Sequence, residues 1–313
     1  MHSEATPLHI VCNAASGSGD ASEARQQIEQ VLAAARRRHD FILVDDPARL
    51  PEIARQAAEA AVRDQGAVVV AGGDGTINAV VQAVLPTGRP LGIVPQGTFN
   101  YSPRAHGIPV DTVAATEALL SARLKAVQVG MLNERVFLVN ASLGLYPELL
   151  QDREQYKRQY GRTRSVALWA GLRTLLREHR ELVAEVEHDS GREIVRTPTI
   201  FIGNNPLQLE QVGLDAATDV QRRRLAAVVV RPVGKLKLVA LALRGLLGRL
   251  GEADSIRDFS FRTLTVRPLS GLARKGIRVA VDGELLWAKP PLRFSVASQP
   301  LMLLVPAEPS RDA

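Results

Sequence analysis

Residues 68–81 read V-V-V-A-G-G-D-G-T-I-N-A-V-V, a buried-strand pattern that ends in a glycine loop and continues with the apolar spacing of a helix. Gly72, Gly73 and Gly75 carry no Cβ and can adopt positive φ angles, so a ligand can approach the backbone closely. The amides that open the following helix would present N–H groups and the positive end of the helix dipole. The segment therefore predicts an anion-binding loop. It is not a Walker A motif, because no Gly-Lys-Ser/Thr follows.

Asp74 lies within this loop and narrows the choice of anion. A carboxylate about 4 Å from a phosphate would cost on the order of 4 kcal/mol at an effective dielectric constant near 20. A divalent metal between the two groups, or a hydrogen bond to a neutral part of the ligand, would offset that cost and indicates a nucleotide rather than free phosphate. The alternative is structural, since Asp is a favoured N-cap and Asp74 could simply cap the helix.

The length and composition indicate a folded protein with two domains. The 313 residues exceed what a single hydrophobic core usually holds, and a hydrophobic content of 46% can fill two cores. The single cysteine, Cys12, excludes an internal disulfide framework. Residues 1–8 lack the pattern of a signal peptide, and the sequence has no run of about 18 apolar residues. We therefore expect a cytoplasmic protein that does not cross a membrane.

A modest excess of basic residues restricts the set of partners. The 39 Lys and Arg residues outnumber the 33 Asp and Glu residues and give a net charge of +6. This balance suits an anionic lipid surface or a nucleic acid, and charge alone does not choose between them. Aromatic residues make up only 4% of the chain and are not interleaved with the basic clusters, which disfavours nucleic acid. We expect peripheral contact with an anionic membrane surface, and the sequence leaves a homodimer open.

An apolar stripe at helical spacing occupies residues 235–250, and two interpretations of it remain open. Lys237 and Arg244 lie on the far side of the stripe. Packing into the core is the favoured interpretation, and a membrane-surface role is the alternative. The stripe contains Leu236, Val239, Leu243, Leu246, Leu247 and Leu250.

The order of strand and helix patterns predicts an α/β N-terminal domain over residues 1–124. Strands are predicted at 8–11, 41–44, 67–70 and 91–94, with helical patterns between them. This alternation indicates a parallel sheet covered by helices on both faces. The loops that follow the strands gather at one edge of such a sheet, and the glycine loop lies there.

A different pattern occupies residues 125–298, where short β-branched runs alternate with turn residues. This pattern predicts a mainly antiparallel second domain. The final segment, 299–313, contains a strand at 301–305 that we expect to return to the first domain. The strands of the second domain are predicted at 126–129, 135–141, 183–187, 199–202, 225–230, 259–266, 276–281 and 292–296.

Three further motifs accompany the glycine loop. Residues 13–17, N-A-A-S-G, follow the first strand, where a polar turn can bind a nucleotide, although an ordinary βα turn explains them equally well. Residues 94–100, V-P-Q-G-T-F-N, follow the fourth strand and offer an open glycine backbone and a threonine hydroxyl. Residues 281–284, V-D-G-E, interrupt an alternating strand pattern. Asp-Gly is also the standard hairpin signal, so Asp282 taken alone indicates a turn more often than a catalyst.

Together, and in this order, the motifs resemble those of the diacylglycerol kinase catalytic-domain family. This family includes bacterial lipid kinases and the diacylglycerol and sphingosine kinases, and NAD kinases are its relatives in fold. The resemblance covers nearly the whole chain. It rests on G-G-D-G-T at 72–76, P-x-G-T-x-N at 95–100 followed by G-I-P at 107–109, and D-G-E at 282–284, with further similarity at 140–147 and 203–205.

The resemblance implies ATP-dependent and Mg²⁺-dependent phosphorylation of a lipid alcohol such as diacylglycerol, in phospholipid biosynthesis, by an α/β domain and a β-sandwich domain. By motif position, Asp282 would accept the proton of the lipid hydroxyl, and Glu284 would help to place metal or water. Asp74 and Asp282 would hold the metal. The nucleotide-binding residues would be Asn13, Ser16, Gly17, Gly72, Gly73, Asp74, Gly75, Thr76, Gly97, Thr98 and Asn100.

Two departures from the family pattern favour a second interpretation. The family often has Asn-Asp-Phe-Ala-Arg where this chain has N-Y-S-P-R at 100–104, so Tyr101 replaces a carboxylate of the metal network. The segment 219–225 lacks the usual Asp-Gly, which argues against an accessory metal site in the second domain. The chain could therefore be a non-catalytic nucleotide-binding sensor with the same fold. The P-x-G-T-x-N and D-G-E motifs disfavour an NAD kinase.

Overall fold

The computed structural model describes residues 6–13, 21–160, 181–214, 217–220, 222–270 and 276–307. The chain divides into two units. One comprises Met1–Val129 together with Ala297–Ala313, and the other comprises Gly130–Val296. The backbone therefore leaves the first unit once and returns to it at its end.

The first unit is an α/β fold. Its strands are β1 (Leu8–Asn13), β2 (His39–Val44), β3 (Ala67–Gly72), β4 (Leu91–Pro95), β5 (Arg123–Val127) and β18 (Leu301–Val305). Its helices are α1 (Ala21–Ala34), α2 (Leu50–Arg63), α3 (Asp74–Val84), α4 (Tyr101–Ala105) and α5 (Thr112–Leu120).

The sheet of the first unit is mostly parallel, with the strand order β2-β1-β3-β4-β18-β5. Strands β1, β3 and β4 are buried along their whole length, as expected for apolar strands covered on both faces. Helix α2 packs against α3, and α1 packs against α5. Right-handed crossovers place these two pairs on opposite faces of the sheet. The carboxyl ends of β1, β3 and β4 consequently meet at one edge.

Strands β18 and β5 extend this sheet beyond β4, and β5 is its last strand. Strand β18 pairs in parallel with β4 through Leu303 and Leu91, and antiparallel with β5 from Leu301 to Val305. Strand β5 therefore belongs to the first unit, and the boundary that the sequence suggested at residue 124 lies inside it. The pairing with a strand 174 or more residues downstream is a long-range contact, which local sequence patterns do not reveal.

The second unit contains the remaining strands. They are β6 (Gly130–Leu132), β7 (Arg135–Phe137), β8 (Asn140–Gly144), β9 (Leu182–His188), β10 (Gly191–Thr197), β11 (Thr199–Gly203), β12 (Leu225–Val230), β13 (Ile256–Phe261), β14 (Thr263–Pro268), β15 (Ile277–Val281), β16 (Glu284–Ala288) and β17 (Leu292–Val296). Its helices among the described residues are α6 (Leu145–Tyr160), α7 (Pro206–Gln211), α8 (Ala217–Val220) and α9 (Lys235–Leu246).

These strands form two antiparallel sheets with one shared core. The orders are β10-β9-β14-β17-β6-β7 and β13-β12-β11-β8-β15-β16. Phe137 and Phe294 of the first sheet and Leu143 and Val279 of the second belong to the same buried cluster, so the sheets pack face to face. The predicted combination of an α/β domain with an antiparallel β-sandwich domain is confirmed.

Two segments predicted as single strands each contribute to both sheets of the sandwich. The segment 135–141 forms β7 in one sheet and the beginning of β8 in the other. The segment 259–266 likewise ends β13 in one sheet and forms most of β14 in the other, with Arg262 between them. Apolar alternation continues through such crossings because both sheets face the same core. The alternation therefore predicts strand character but not the sheet to which a residue belongs.

Helix α9 differs from its predicted packing. Leu238 and Leu241 are buried and pack with Leu145, Val230 and Ala253. The predicted core residues Leu236, Leu243 and Leu247 are instead exposed, so the core interpretation of the stripe is wrong for them. The reason is that the helix turns the face of Leu238 and Leu241 to the sheet, and the predicted stripe lies on another face.

Candidate active site

The turn between β3 and α3 forms the centre of the site in the first unit. Gly73 is the N-cap of α3 and has an extended backbone, with φ −82° and ψ 178°. Asp74 is the first residue of the helix, so the N-cap alternative for Asp74 is wrong. Gly72 and Gly73 do not have positive φ angles either, contrary to the expectation from the sequence. Their role is close packing rather than unusual backbone geometry.

The need for glycine at position 72 comes from Thr76, which lies in the first turn of the helix. A Cβ on Gly72 would lie 2.7 Å from the Cβ of Thr76, a distance that real side chains do not adopt. Thr76 is buried, and its Oγ1 accepts a hydrogen bond of 2.9 Å from Nδ2 of Asn13, the last residue of β1. This hydrogen bond links the carboxyl end of β1 to the first turn of α3. Ser16 and Gly17, predicted to continue this edge, lie outside the described residues.

The loop after β4 lies directly against the glycine turn. The backbone N–H of Gln96 donates to the carbonyl of Gly72 over 2.9 Å. A Cβ on Gly97 would lie 3.1 Å from the Cα of Gly73 and 2.8 Å from Oδ1 of Asn100. The two backbones therefore approach each other as only glycines allow. Thr98, at the tip of the loop, is exposed.

Asn100 holds this second loop in shape. Its Oδ1 accepts a hydrogen bond from the N–H of Gly97, and its Nδ2 donates to the Gly97 carbonyl over 2.8 Å. Its backbone has φ 50°, the left-handed region that Asn tolerates better than most residues. Its own N–H donates to Oδ2 of Asp74 over 3.2 Å. The Asn100 side chain, predicted to bind nucleotide, is thus engaged in positioning Gly97, and the Asn100 backbone N–H contacts Asp74.

The electrostatic state of Asp74 follows from its burial. Burial raises the pKa of the Asp74 carboxyl group above its usual value, and hydrogen bonds from the backbone N–H groups of Asn100 and Asp74 oppose the rise. No Lys or Arg of the described ranges forms an ion pair with it. A carboxylate that has lost part of its hydration without gaining a cation is a suitable ligand for Mg²⁺.

Asp282 and Glu284 lie in the second unit, in the hairpin that joins β15 to β16. Asp282 and Gly283 are its two turn residues, both with positive φ, and Val281 pairs with Glu284 across the turn. The hairpin alternative for Asp282 is therefore correct as far as the backbone is concerned. Glu284 is exposed. The carboxylate of Asp282, however, makes contacts that a turn residue does not require.

Three consecutive backbone N–H groups converge on the carboxylate of Asp282. Leu138 donates to Oδ2 over 2.7 Å, and Val139 and Asn140 donate to Oδ1 over 2.8 and 3.0 Å. The N–H of Asp282 in turn donates to the carbonyl of Asn140. These donors complement the negative charge and hold both oxygens in one orientation.

A buried polar cluster surrounds the amides of residues 138–140, and the sequence pattern does not reveal its role. Nδ2 of Asn140 donates to Oε1 of Gln208 over 2.9 Å, and Nδ2 of Asn204 donates to the carbonyl of Leu138 over 2.9 Å. Asn205 caps α7 by accepting a hydrogen bond from the N–H of Gln208. The motifs at 140–147 and 203–205 contain the sequence pattern that indicates this cluster. Adjacent asparagines at the end of an apolar strand rarely serve packing alone.

Two features of the site concern a bound metal: the acidic side chains near Asp74 and the residue at position 101. The described ranges contain no group of three or more His, Cys, Asp or Glu side chains arranged to hold a metal. Mg²⁺ often uses only one or two carboxylates together with substrate phosphates, so Asp74 fits a metal that arrives with a nucleotide. Tyr101 begins α4 and stacks on Phe99, with ring centroids 5.8 Å apart and an interplanar angle of 6°.

Comparison with known proteins finds a family model that matches part of this chain. Residues 7–132 match the family model for the diacylglycerol kinase catalytic domain. Over those residues the chain is similar to the diacylglycerol kinase catalytic-domain family. The matched range contains Asn13, the glycine turn and the loop at 97–100, but it does not extend to Asp282 and Glu284.

Members of the family with curated sequences match this chain over limited segments. A diacylglycerol kinase from Bacillus subtilis (strain 168) is 39% identical over 99 residues, which are 31% of this chain and 33% of the relative. A diacylglycerol kinase from Staphylococcus haemolyticus is 36% identical over 91 residues, 28% of each chain. The chain thus covers about a third or less of the length of these relatives.

Solved structures of diacylglycerol kinase type share the fold over nearly the full length. A crystal structure of a diacylglycerol kinase from Bacillus anthracis str. Sterne aligns with a TM-score of 0.68, covering 96% of this chain and 97% of that chain at 18% identity. A second crystal structure from the same organism aligns with a TM-score of 0.73 over the same shares. Among the residues that the structure describes, no helix combines the length and apolar character needed to cross a bilayer.

Proposed function

We propose that this protein is an ATP-dependent lipid kinase that phosphorylates a hydroxyl group of diacylglycerol or a related lipid alcohol. The observation that carries the proposal is the convergence of Asn13, Thr76, Asp74 and Gly97 at one edge of the first sheet, within a domain of the diacylglycerol kinase family. We also propose that the protein works in the cytoplasm as a peripheral membrane protein, because its acceptor is a lipid.

The glycine turn and the neighbouring loop would bind the phosphates of ATP. Gly73 and Gly97 leave the backbone of both loops unshielded by side chains, and α3 directs the positive end of its dipole toward this edge. Asp74 would hold Mg²⁺ against the phosphates. The cation would offset the free-energy cost of burying the ionised Asp74 carboxylate. Mg²⁺, when bound, neutralises charge that develops on the phosphate oxygens.

Asp282 would accept the proton of the lipid hydroxyl. The hydroxyl oxygen forms a bond to the γ-phosphorus as the bond from that phosphorus to the leaving ADP oxygen breaks, and the hydroxyl proton passes to the Asp282 carboxylate. Phosphoryl transfer depends more on positioning than on base strength. The three amides at 138–140 fix the Asp282 carboxylate, which supports this role. Glu284 would help to place the metal or a water molecule.

A panel of lipids tests the proposal directly. Purified full-length protein is incubated with γ-labelled ATP, Mg²⁺ and vesicles that contain diacylglycerol, sphingosine or a total lipid extract, and labelled products are separated and identified. The expected result is a labelled phospholipid that forms only with ATP and a divalent cation. Absence of labelled lipid from folded protein that still binds ATP would contradict the kinase proposal.

A nucleotide sensor is the second candidate function, and Tyr101 favours it. The family often has an acidic residue at this position, and here an aromatic ring stacks on Phe99 instead. The discriminating variant is Tyr101→Asp, assayed beside wild type and beside Phe99→Ala, which removes the same stacking without adding a carboxylate. If the wild-type protein is an active kinase, Tyr101→Asp should change its turnover by about tenfold or less. If the wild-type protein is inactive and only the Tyr101→Asp variant gains turnover, the protein is a former kinase that now only binds nucleotide.

A further inference from the structure

Helix α9 of the second unit, together with its C-cap residue Leu247, presents an exposed row of leucines. Leu236, Leu243 and Leu247 are 81%, 54% and 73% exposed, whereas Leu238 and Leu241 on the opposite side are 8% and 6% exposed. The core therefore holds the helix through one face and leaves a second apolar face to the outside. Single exposed apolar residues are ordinary, but several in one row indicate a contact surface.

The spacing places these leucines side by side. Positions 236, 243 and 247 follow the i, i+7 and i+11 pattern, and Ala240 fills the gap between them. Ala240 is exposed as well, so the row is continuous along the helix. We refer to Leu236, Ala240, Leu243 and Leu247 as the leucine row.

Basic side chains flank the leucine row on both sides. Lys235 lies on one side and Lys237 and Arg244 on the other, and all three are exposed. Neither lysine forms an ion pair with a residue in the described ranges. Two long cationic side chains, Lys237 and Arg244, line a groove of about 280 Å³ beside the helix. The row therefore has a cationic border.

Nearby acidic groups offset this charge only in part. Asp254 lines the same groove as Lys237. Glu252 pairs with Arg249 over 2.9 Å, and this pair, aided by Arg244, holds the pKa of Glu252 below its usual value. Asp254 therefore opposes three cations, since the Glu252 charge is already compensated by Arg249. The border of the leucine row stays net positive.

We propose that α9 is a docking helix that lies on the surface of an anionic bilayer. The leucine row enters the boundary of the acyl chains, while Lys235, Lys237 and Arg244 contact lipid phosphates. An apolar face with a cationic border is typical of interfacial helices. A second copy of this chain is a less suitable occupant, because a two-fold dimer would bring the same cations together. The inference deepens the proposed function, on which it rests, by naming the surface that meets the lipid.

Vesicle sedimentation with the full-length protein tests this proposal. Vesicles of phosphatidylglycerol and of phosphatidylcholine are compared for wild type, for Leu236→Gln/Leu243→Gln/Leu247→Gln and for Lys235→Gln/Lys237→Gln/Arg244→Gln. The leucine variant should bind both kinds of vesicle at least about tenfold more weakly, because each leucine adds apolar burial. The basic variant should lose about fivefold per charge on phosphatidylglycerol only.

Matched controls come from the same unit. Ile194→Gln removes an apolar side chain that is 70% exposed in β10, and Lys289→Gln removes an exposed charge between β16 and β17. Both controls should bind vesicles within twofold of wild type. Melting temperatures of all variants should stay close to that of wild type, because every substituted side chain is exposed.

Three outcomes would overturn the proposal. Wild type that does not bind phosphatidylglycerol vesicles, or a leucine variant that binds them as wild type does, would exclude α9 as the docking surface. A leucine variant that loses self-association in analytical ultracentrifugation with unchanged vesicle binding would assign the row to a contact between copies. Vesicle binding needs no turnover, so a protein that binds vesicles but phosphorylates no lipid contradicts the kinase proposal alone.

Discussion

Asp74 in the first unit and Asp282 in the second are both carboxylates of the proposed chemistry, yet their surroundings are opposite in kind. Asp74 is partly dehydrated, accepts few hydrogen bonds and has a raised pKa caused by burial. Asp282 receives three backbone N–H groups that complement its charge. Burial without a cation destabilises an ionised group, whereas converging amides stabilise it.

The difference indicates separate tasks for the two residues. A carboxylate that the fold leaves uncompensated gains when a cation arrives, so Asp74 is suited to a metal that comes with the nucleotide. A carboxylate that the fold already compensates is fixed in position before any ligand binds, so Asp282 is suited to orienting an incoming hydroxyl. Variants at the two sites should therefore act differently on stability and on turnover.

The largest effect is expected for Asp282→Asn. An amide offers one acceptor oxygen in place of two, so an NH₂ group must face a backbone N–H that now donates to Oδ1 or Oδ2. Turnover should fall about 10²- to 10⁴-fold, the usual contribution of a general base. The free energy of unfolding should fall by about 1–3 kcal/mol because a buried donor loses its partner. Turnover assays with labelled ATP and thermal melts measure the two effects.

Asp258→Asn is the matched control for that variant, because it removes an exposed carboxylate from β13 of the same unit. Its turnover and melting temperature should equal those of wild type. ATP affinity should change little in either variant. If Asp282→Asn melts earlier but turns over at the rate of wild type, the three amides anchor a hairpin and the role of base belongs elsewhere.

An intermediate effect is expected for Gly97→Ala in the first unit. The new Cβ would lie 2.8 Å from Oδ1 of Asn100 and 3.1 Å from Cα of Gly73, so the loop must move away from the glycine turn. We expect a loss of about 1–3 kcal/mol in unfolding free energy, as for other overpacked sites. ATP affinity, measured by calorimetry, should fall about tenfold, which corresponds to about 1.4 kcal/mol.

Gly245→Ala serves as the control for the glycine variant. Nothing lies within 4 Å of a Cβ at this position in α9, so the change should be neutral or stabilise the protein by up to about 1 kcal/mol. A Gly97→Ala protein that binds ATP as tightly as wild type would show that the contact of the two loops is not needed for nucleotide binding.

The smallest effect, with the opposite sign, is expected for Asp74→Asn. The folded-state pKa of Asp74 is raised, so the folded protein binds more protons than the unfolded chain at pH values between the two pKa values. Stability contributed by this group is therefore lost as pH rises through that window. Asp74→Asn removes the charge while its side-chain oxygen can still accept the hydrogen bond from Asn100.

Without nucleotide, this variant should melt slightly above wild type at pH 7, by about 1 kcal/mol or less in unfolding free energy. Below the ordinary pKa of Asp the two proteins should melt alike. Mg²⁺ and ATP together should stabilise wild type more than the variant. A lower melting temperature for Asp74→Asn at pH 7 would show that Asp74 is compensated by the fold, and the contrast with Asp282 would disappear.

Much of the first unit was predictable from the sequence because its determinants are local. The alternation of apolar strands and helical patterns predicted the parallel sheet, and glycines after two of its strands marked the edge where loops meet. The role of Asn100 was not predictable in detail. Its side chain closes the loop on Gly97, and a pattern of residue types does not distinguish a residue that binds a ligand from one that shapes the loop.

The second unit was less predictable because its determinants are long-range contacts. Within the segments 135–141 and 259–266 the chain passes from one sheet to the other. The alternation of β-branched residues is the same before and after each passage, so it does not mark the change. The amides that hold Asp282 lie more than 140 residues earlier in the chain. The Asp-Gly signal at 282–283 correctly predicted a hairpin turn, but no local pattern indicated the partners of the carboxylate.

Strand β18 has a consequence for biosynthesis. The space beside β4, whose loop carries Gly97, is filled by a segment that the ribosome delivers only after the whole second unit has been made. During translation, one edge of β4 therefore stays unpaired, and unpaired strand edges favour association with other chains. We expect the nascent protein to depend on protection of this edge until Leu301–Val305 emerge and complete the sheet of the first unit.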